Sequence, residues 1–254
     1  MRPPIKQTKT RSHFPLVIGL IVLLGLVSWY FVERAASPNS DPNNPDAESA
    51  AFDRELYSLD EPGSLWFIVN KQRPLPESYV PHLTTPDIPL YGPSDAENMQ
   101  VDSRITDHLK ALVASATSEG LQLALGSAYR SASYQSGIYN LYVEREGQTA
   151  ADTFSARPGH SEHQSGLAVD FVRRDGECFI EACFDETAEG QWLAAHAHEY
   201  GFILRYREGM ADITGYSYEP WHFRYVGTEL ARELHRQDNP TLEEFFDLPP
   251  ASTY

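Results

Sequence analysis

The chain has 254 residues, 41% of them hydrophobic and 22% charged. That composition can bury a sizeable core, which excludes a wholly disordered chain or a disulfide-stapled miniprotein and leaves one main domain as the expectation. Twenty Lys and Arg stand against thirty-six Asp and Glu, a formal charge of −16, which repels phosphate backbones and argues against nucleic acid as a partner.

The charge is unevenly placed. Residues 1–13 carry Arg2, Lys6, Lys9 and Arg11 and no acid; Glu33 and Arg34 cancel, so residues 35–254 hold −20. From Phe14 to Val32 run nineteen residues without a charge, which as a helix would reach about 28 Å and cross a bilayer core. The cationic flank on the N-terminal side keeps residues 1–13 in the cytoplasm and sends the acidic remainder outward. Trp29, Tyr30, Phe31, Glu33 and Arg34 occupy the stretch where a cleaved signal peptide carries small residues. A retained single-pass transmembrane anchor over residues 14–32 is therefore expected. Residues 33–50 are rich in Pro, Asn, Ser and Asp and lack apolar periodicity, so they read as a flexible linker ahead of a folded domain over residues 51–254.

Within that domain the apolar run Ser64–Asn70 reads as a strand, followed by a Pro-punctuated extended chain laid over the domain to about Tyr91. Ile105, Leu109, Leu112, Val113 and Ala116 recur at helical spacing, predicting an amphipathic helix from Asp102 to Glu119 that stops at Gly120. The segment LQLALGSAYR predicts a buried strand entering a loop. Ser131 is placed to cap a second helix, with Ile138, Tyr142 and Val143 on one face and a stop at Gly147. Gly166–Val172 is again strand-like. A third helix carries Trp192, Leu193, Ala195 and His196 up to Gly201, and the short apolar runs FILRY and WHFRYVG follow. Helices and strands alternate too irregularly for a doubly wound sheet, so the fold class is α+β. Cys178 and Cys183 flank the four residues FIEA, and in an exported domain such a pair can form a local disulfide of modest stabilising effect. A monomer is expected.

Of the nine histidines, two stand in informative company. His163 precedes Asp170 by seven residues in SEHQSGLAVDF, and Glu219 precedes His222 by three in YEPWHF. Two imidazoles and one carboxylate suit a zinc ion that keeps a position open for catalysis, and His163, Asp170 and His222 can supply that set. Gly166 lets the chain turn from the loop carrying the histidine into the strand carrying the aspartate. Glu219 is then a non-ligand neighbour placed to take a proton from the attacking water. Spacing alone gives a moderate signal, since both patterns arise by chance.

Residue identities add more. WFIVNKQRPLP, SAYRS with Gln135, RPGHSEHQSGLAVDF, YGFILRY and ITGYSYEPWHFRYVG occur in this order and together resemble the VanY-type D-alanyl-D-alanine carboxypeptidase family, whose relatives include L,D-carboxypeptidases of peptidoglycan. The resemblance spans roughly Ser64–Gly227. It implies a small α+β domain with an antiparallel sheet flanked by helices, one Zn²⁺ on His163, Asp170 and His222, and Glu219 as general base. It also implies that Arg130 sits by the scissile carbonyl or the terminal carboxylate, with Gln135 and Ser161 completing the cradle and Tyr206 as a weaker pocket-wall candidate. A fixed guanidinium is the evident means for an acidic domain to hold a carboxylate. His160 is read as second shell or surface, His196 and His198 as packing and solvent residues, and Trp221 as a buttress between base and ligand. The implied function is removal of a C-terminal D-alanine from peptidoglycan stem peptides by a domain outside the bacterial cytoplasmic membrane. A cross-link endopeptidase and a non-catalytic zinc-containing wall-binding module are the alternatives.

Overall fold

The structure is a computed structural model and describes residues 52–254. The basic tail, the anchor and the linker expected over residues 1–50 lie outside the described residues. Among the described residues no helix is long and apolar enough to cross a membrane.

A four-stranded sheet in the order β3-β4-β6-β5 organises the domain: β3 is Leu123–Ser127, β4 Ala168–Arg173, β5 Phe202–Leu204 and β6 His222–Tyr225, all antiparallel. Two shorter strands, β1 (Leu83–Thr84) and β2 (Val101–Asp102), pair with each other. The helices are α1 (Thr106–Ser118), α2 (Ala132–Glu146), α3 (Gln148–Ala151), α4 (Ala188–His196), α5 (Ala211–Thr214), α6 (Thr228–Arg236) and α7 (Leu242–Phe245). The α+β expectation and the positions of the three expected helices, α1, α2 and α4, stand. α3, α5, α6 and α7 are additional to them.

Side-chain alternation along the strands sorts the sheet into two chemistries. Leu123, Leu125, Val169, Phe171, Phe223 and Tyr225 join Leu109, Leu112 and Val113 of α1 and Leu193 of α4 in the main core. Asp170, His222 and Arg224 point to the opposite face, and the register sets Asp170 directly against His222. The β3 register slips between Leu125 and Ser127, so that Ser127 pairs with Asp170. Gly126 lies at this bulge, where a Cβ would stand 3.2 Å from the carbonyl oxygen of Asp170 and strike Val172. The extra residue re-aims Ser127 to the polar face.

The free edge of β3 is covered by the Pro-rich chain. Leu125 donates to the carbonyl of Pro89 at 2.9 Å and accepts from the N–H of Tyr91 at 2.9 Å, which blunts an otherwise open edge. The run Ser64–Asn70, expected as a strand, is irregular. Its backbone acceptors are taken by side chains instead of a ladder: Arg224 Nη2 donates to the carbonyls of Leu65 at 3.1 Å and Phe67 at 2.9 Å. Trp66 Nε1 donates to Val226, and Trp66 and Ile68 pack with Leu230, Leu234, Leu242 and Phe245 in a second core. High apolar content reports burial here, and the buried arginine decides the backbone geometry.

Arg205 and Arg224 are fully buried. Arg205 donates to both carboxylate oxygens of Glu243 at 2.8 and 2.7 Å and through Nε to Glu162 at 2.9 Å; Arg224 reaches Glu162 at 3.1 Å. Burial alone would raise the Glu243 carboxyl, but Arg205 outweighs it and holds it below its ordinary value. A carboxylate depressed in the folded state stabilises above its unfolded pKa, and the contribution fades as pH falls through the folded one. The stability gap between wild type and Glu243→Gln is therefore expected to be full near neutrality and to shrink in acid, as denaturant titrations at several pH values would read out.

Candidate active site

Three chain segments meet on the polar face of the sheet. His163 comes from a single 3₁₀ turn, Glu162–Ser165, which Gly166 ends with φ at +69°. A Cβ on Gly166 would lie 2.9 Å from the backbone nitrogen of Asp102, so the turn needs both the left-handed backbone and the missing side chain. Asp170 comes from the middle of β4 and His222 from the first residue of β6. One potential ligand atom from each residue lies within 4.8 Å of the others, and all three residues are buried. His163 Nε2 is 3.4 Å and His222 Nδ1 3.3 Å from Asp170 Oδ1, and the two imidazoles stand at 87° to each other.

The outer nitrogens of both rings are engaged. His163 Nδ1 lies 2.6 Å from the carbonyl of Ala128, which requires the proton there and leaves Nε2 as the lone-pair nitrogen. His222 Nε2 lies 3.3 Å from Glu162, the carboxylate–imidazole pairing that orients a metal ligand. His163 Nε2 and Asp170 Oδ1 are buried without a hydrogen-bond partner. Orphaned buried polar atoms are costly, and two of them converging with a third donor fit a divalent cation. The mixed nitrogen and oxygen set, with three protein ligands, fits Zn²⁺ with a position open for water or substrate.

The electrostatics agree with this. Burial, helped by the positive charge of Arg130, pushes His163 down to about 4, so its ring is neutral at pH 7. Burial would raise Asp170, yet His163 and His222 hold its carboxyl well below the usual range. Burial would lower His222, but the neighbouring carboxylates of Asp170 and Glu162 hold it up to about 9; a bound cation displaces that proton.

Glu219 approaches from the turn before β6. Its N–H donates to the carbonyl of Tyr206 at 3.0 Å and its own carbonyl accepts from the N–H of His222 at 3.1 Å, which fixes the carboxylate 3.7 Å from His222 Nδ1. Burial pushes the Glu219 carboxyl up to about 7, against the opposing positive charges of His222 and Arg130. That value suits a group that both takes and returns a proton near neutral pH.

These residues line a cleft of about 500 Å³. Arg130 enters it with Nη1 on Ser127 Oγ at 3.0 Å and on Asp170 Oδ2 at 3.4 Å, and Nε on Gln135 Oε1 at 3.1 Å. The Gln135 amide also donates to the carbonyl of Ala156, so one end accepts from the guanidinium while the other is tied to the backbone. Ser161 and Tyr206 are buried in the cleft lining. The Tyr206 ring packs against His222 at 4.7 Å, and burial, with Glu162 nearby, raises its hydroxyl well above the usual range.

Trp221 lines the cleft too, and its carbonyl accepts from the N–H of Phe171. His160 faces elsewhere, with Nδ1 on the carbonyl of Asn70 and its ring against Tyr254. His196 pairs with Glu199, and His198 stacks on His235. Cys178 and Cys183 are bridged.

Sequence reasoning passed over Glu162 and Ser127. A carboxylate beside a candidate ligand histidine, with arginines available elsewhere to pair it, was the signal for Glu162. Nothing in the linear sequence marks the bulge that turns Ser127 toward Arg130.

A family model described as VanY, D-alanyl-D-alanine carboxypeptidase, matches residues 98–228. The putative carboxypeptidase YodJ of Bacillus subtilis is 39% identical over 194 residues, which cover 76% of this chain and 70% of that protein. The LdcB LD-carboxypeptidase structure superimposes with a TM-score of 0.70 at 39% identity, over 73% of this chain and 87% of that one. A point mutant of the vancomycin-resistance D,D-pentapeptidase VanY, solved in complex with Zn(II), gives a TM-score of 0.60 at 34% identity over 72% of this chain and 98% of that one. The matched region contains the sheet, the three converging ligand candidates, Glu219 and Arg130, and on these grounds the chain belongs to the VanY family of D-alanyl-D-alanine carboxypeptidases.

Proposed function

We propose that this protein is a zinc-dependent carboxypeptidase that removes the C-terminal D-alanine from peptidoglycan stem peptides. The observation that carries the reading is the pair of orphaned buried atoms, His163 Nε2 and Asp170 Oδ1, with the Glu219 carboxylate 3.7 Å from Nδ1 of the third ligand candidate, His222. His163, Asp170 and His222 would hold Zn²⁺, which supplies Lewis-acid activation of a water and of the scissile carbonyl.

The remaining chemistry belongs to the chain. Glu219 accepts the proton of the attacking water and delivers it to the amine nitrogen as the C–N bond breaks, so free D-alanine leaves and the stem is one residue shorter. Gln135, Ser127 and Asp170 hold Arg130 through Nε and Nη1, and its Nη2 group donates to the substrate's terminal carboxylate or to the oxyanion. Ser161 and Tyr206 shape the wall around the terminal residue. Glu162 keeps His222 in the tautomer that presents Nδ1.

Incubating the purified domain with tripeptide, tetrapeptide and pentapeptide stems and weighing the products tests the reading. Loss of one C-terminal alanine, abolished by chelator and restored by Zn²⁺, is the expected result. Cleavage of cross-linked dimers instead would make the protein an endopeptidase, and zinc uptake with no cleavage would leave a binding module. Arg130→Ala is expected to raise KM for free-acid peptides by roughly 10- to 100-fold, the size of a lost charge-assisted pair. An equal loss on C-terminally amidated peptides would show that Arg130 does not read that carboxylate.

The apolar run over residues 14–32 and its cationic flank support an anchored protein with the acidic domain outside the membrane. Protease accessibility of the domain in intact cells, with the N-terminus of the native protein sequenced, tests that topology.

A further inference from the structure

Between β4 and α4 the chain makes a loop closed on itself by the Cys178–Cys183 bridge. The loop is anchored at several points. Cys178 packs against the main core, Phe179 packs at a tilt against Tyr91 with ring centroids 4.7 Å apart, and Asp185 accepts from the Tyr218 hydroxyl at 3.1 Å. Gly176 has φ at +78°, and a Cβ there would strike the Tyr91 hydroxyl. Within the bridged ring Cys178 and Ile180 sit at φ of 53° and 52°. A β-branched residue in the left-handed region is an outlier, and such a conformation persists only where its surroundings over-determine it. The covalent closure supplies that constraint.

Phe179 and Ile180 line the substrate cleft, together with Tyr218 and Trp221. They stand at its rim: Phe179 is 37% exposed, whereas Gln135, Ser161, His163 and Tyr206 at the floor are 5% exposed or less. A substrate whose terminal carboxylate lies at the floor beside Arg130 must run its upstream residues out past this rim. An exposed phenylalanine held there by a bridge, a ring contact and a tethered neighbour has no evident task inside the fold.

We propose that the disulfide-closed loop is a specificity-determining wall, in which Phe179 and Ile180 hold the stem-peptide residues upstream of the scissile bond and the Cys178–Cys183 bridge positions them. This rests on the carboxypeptidase reading above. Phe179 acts by direct contact, and the two cysteines are positioning residues. Opening the bridge releases the left-handed backbone, withdraws the apolar wall, and leaves the ligand set and Glu219 where they are.

The test compares a full-length stem peptide with an Nα-acetylated dipeptide having the same two C-terminal residues. It uses the wild-type protein, the wild type reduced with a non-chelating phosphine, Cys178→Ser/Cys183→Ser, and Phe179→Ala, with bound zinc measured in each. In the reduced protein, the serine pair and Phe179→Ala, the long-to-short ratio of kcat/KM is expected to fall about tenfold, through KM, as removal of apolar ground-state contact predicts. Zinc content should be unchanged. If the wild type cleaves both peptides and the ratio is the same in all forms, or if both peptides suffer equally, the loop does not select substrate and the inference is overturned alone. If the wild type cleaves neither peptide, the carboxypeptidase reading is overturned and the inference goes with it.

Discussion

Replacing Glu219 with alanine is expected to lower kcat by about 10²- to 10⁴-fold, the usual contribution of a general acid/base, while zinc stays bound. The separation of roles is geometric. The Glu219 carboxylate is 3.7 Å from the ligand nitrogen of His222 and stands outside the cluster of His163, Asp170 and His222, so its loss removes a proton carrier without removing a ligand. His163→Ala should do the reverse and empty the site, because the remaining two ligands leave a zinc ion under-coordinated. Metal analysis after dialysis, set beside steady-state kinetics, distinguishes the two. A Glu219 variant with unchanged turnover would remove this residue from the mechanism, and one that lost its zinc would make it a ligand.

The second large effect is expected at Glu162. Its carboxylate is fully buried between Arg205, Arg224 and His222. Burial would raise it, and the two guanidinium groups hold it well below the usual range instead. Glu162→Gln keeps the shape and removes the charge, so Arg224 is left buried without its carboxylate partner. Breaking a buried pair in this way costs about 3–5 kcal/mol, which denaturant unfolding of the zinc-loaded protein would register.

The same change weakens the acceptor on His222 Nε2, and loss of such an outer-shell partner lowers metal affinity by about 10- to 100-fold. Competition with a chelator of known affinity measures that. A variant with full stability and full zinc affinity would show that the buried charge cluster and the metal site are independent.

The sequence and the structure part company at identifiable places. Helix α1 was legible because Ile105, Leu109, Leu112, Val113 and Ala116 keep a helical period and all prove to be buried. Helix α2 was legible from its cap, since Ser131 accepts from the N–H of Tyr134. The face of α2 was less so, because Ile138 and Tyr142 line the cleft and the buried positions are Ala132, Gln135 and Tyr139. Periodicity shows that a face is apolar and does not say whether it meets core or ligand. Ser64–Asn70 misled for a related reason: Trp66 and Ile68 pack in the second core, Phe67 and Val69 in a small cluster with Leu75, and the carbonyls of Leu65 and Phe67 serve Arg224.

The residue types of the metal site, their order, the acid beside the second histidine and the local cysteine pair can all be read along the chain. These are short-range facts: a turn at Gly166, a strand carrying Asp170, a tight turn from Glu219 to His222. The cross-strand register that sets Asp170 against His222, the bulge that turns Ser127 to Arg130 and the burial of Glu162 between two arginines exist only in the folded domain. Each joins residues far apart in the chain, and the energy that selects it comes from burying one face of the sheet and pairing buried charge on the other, which no local pattern encodes.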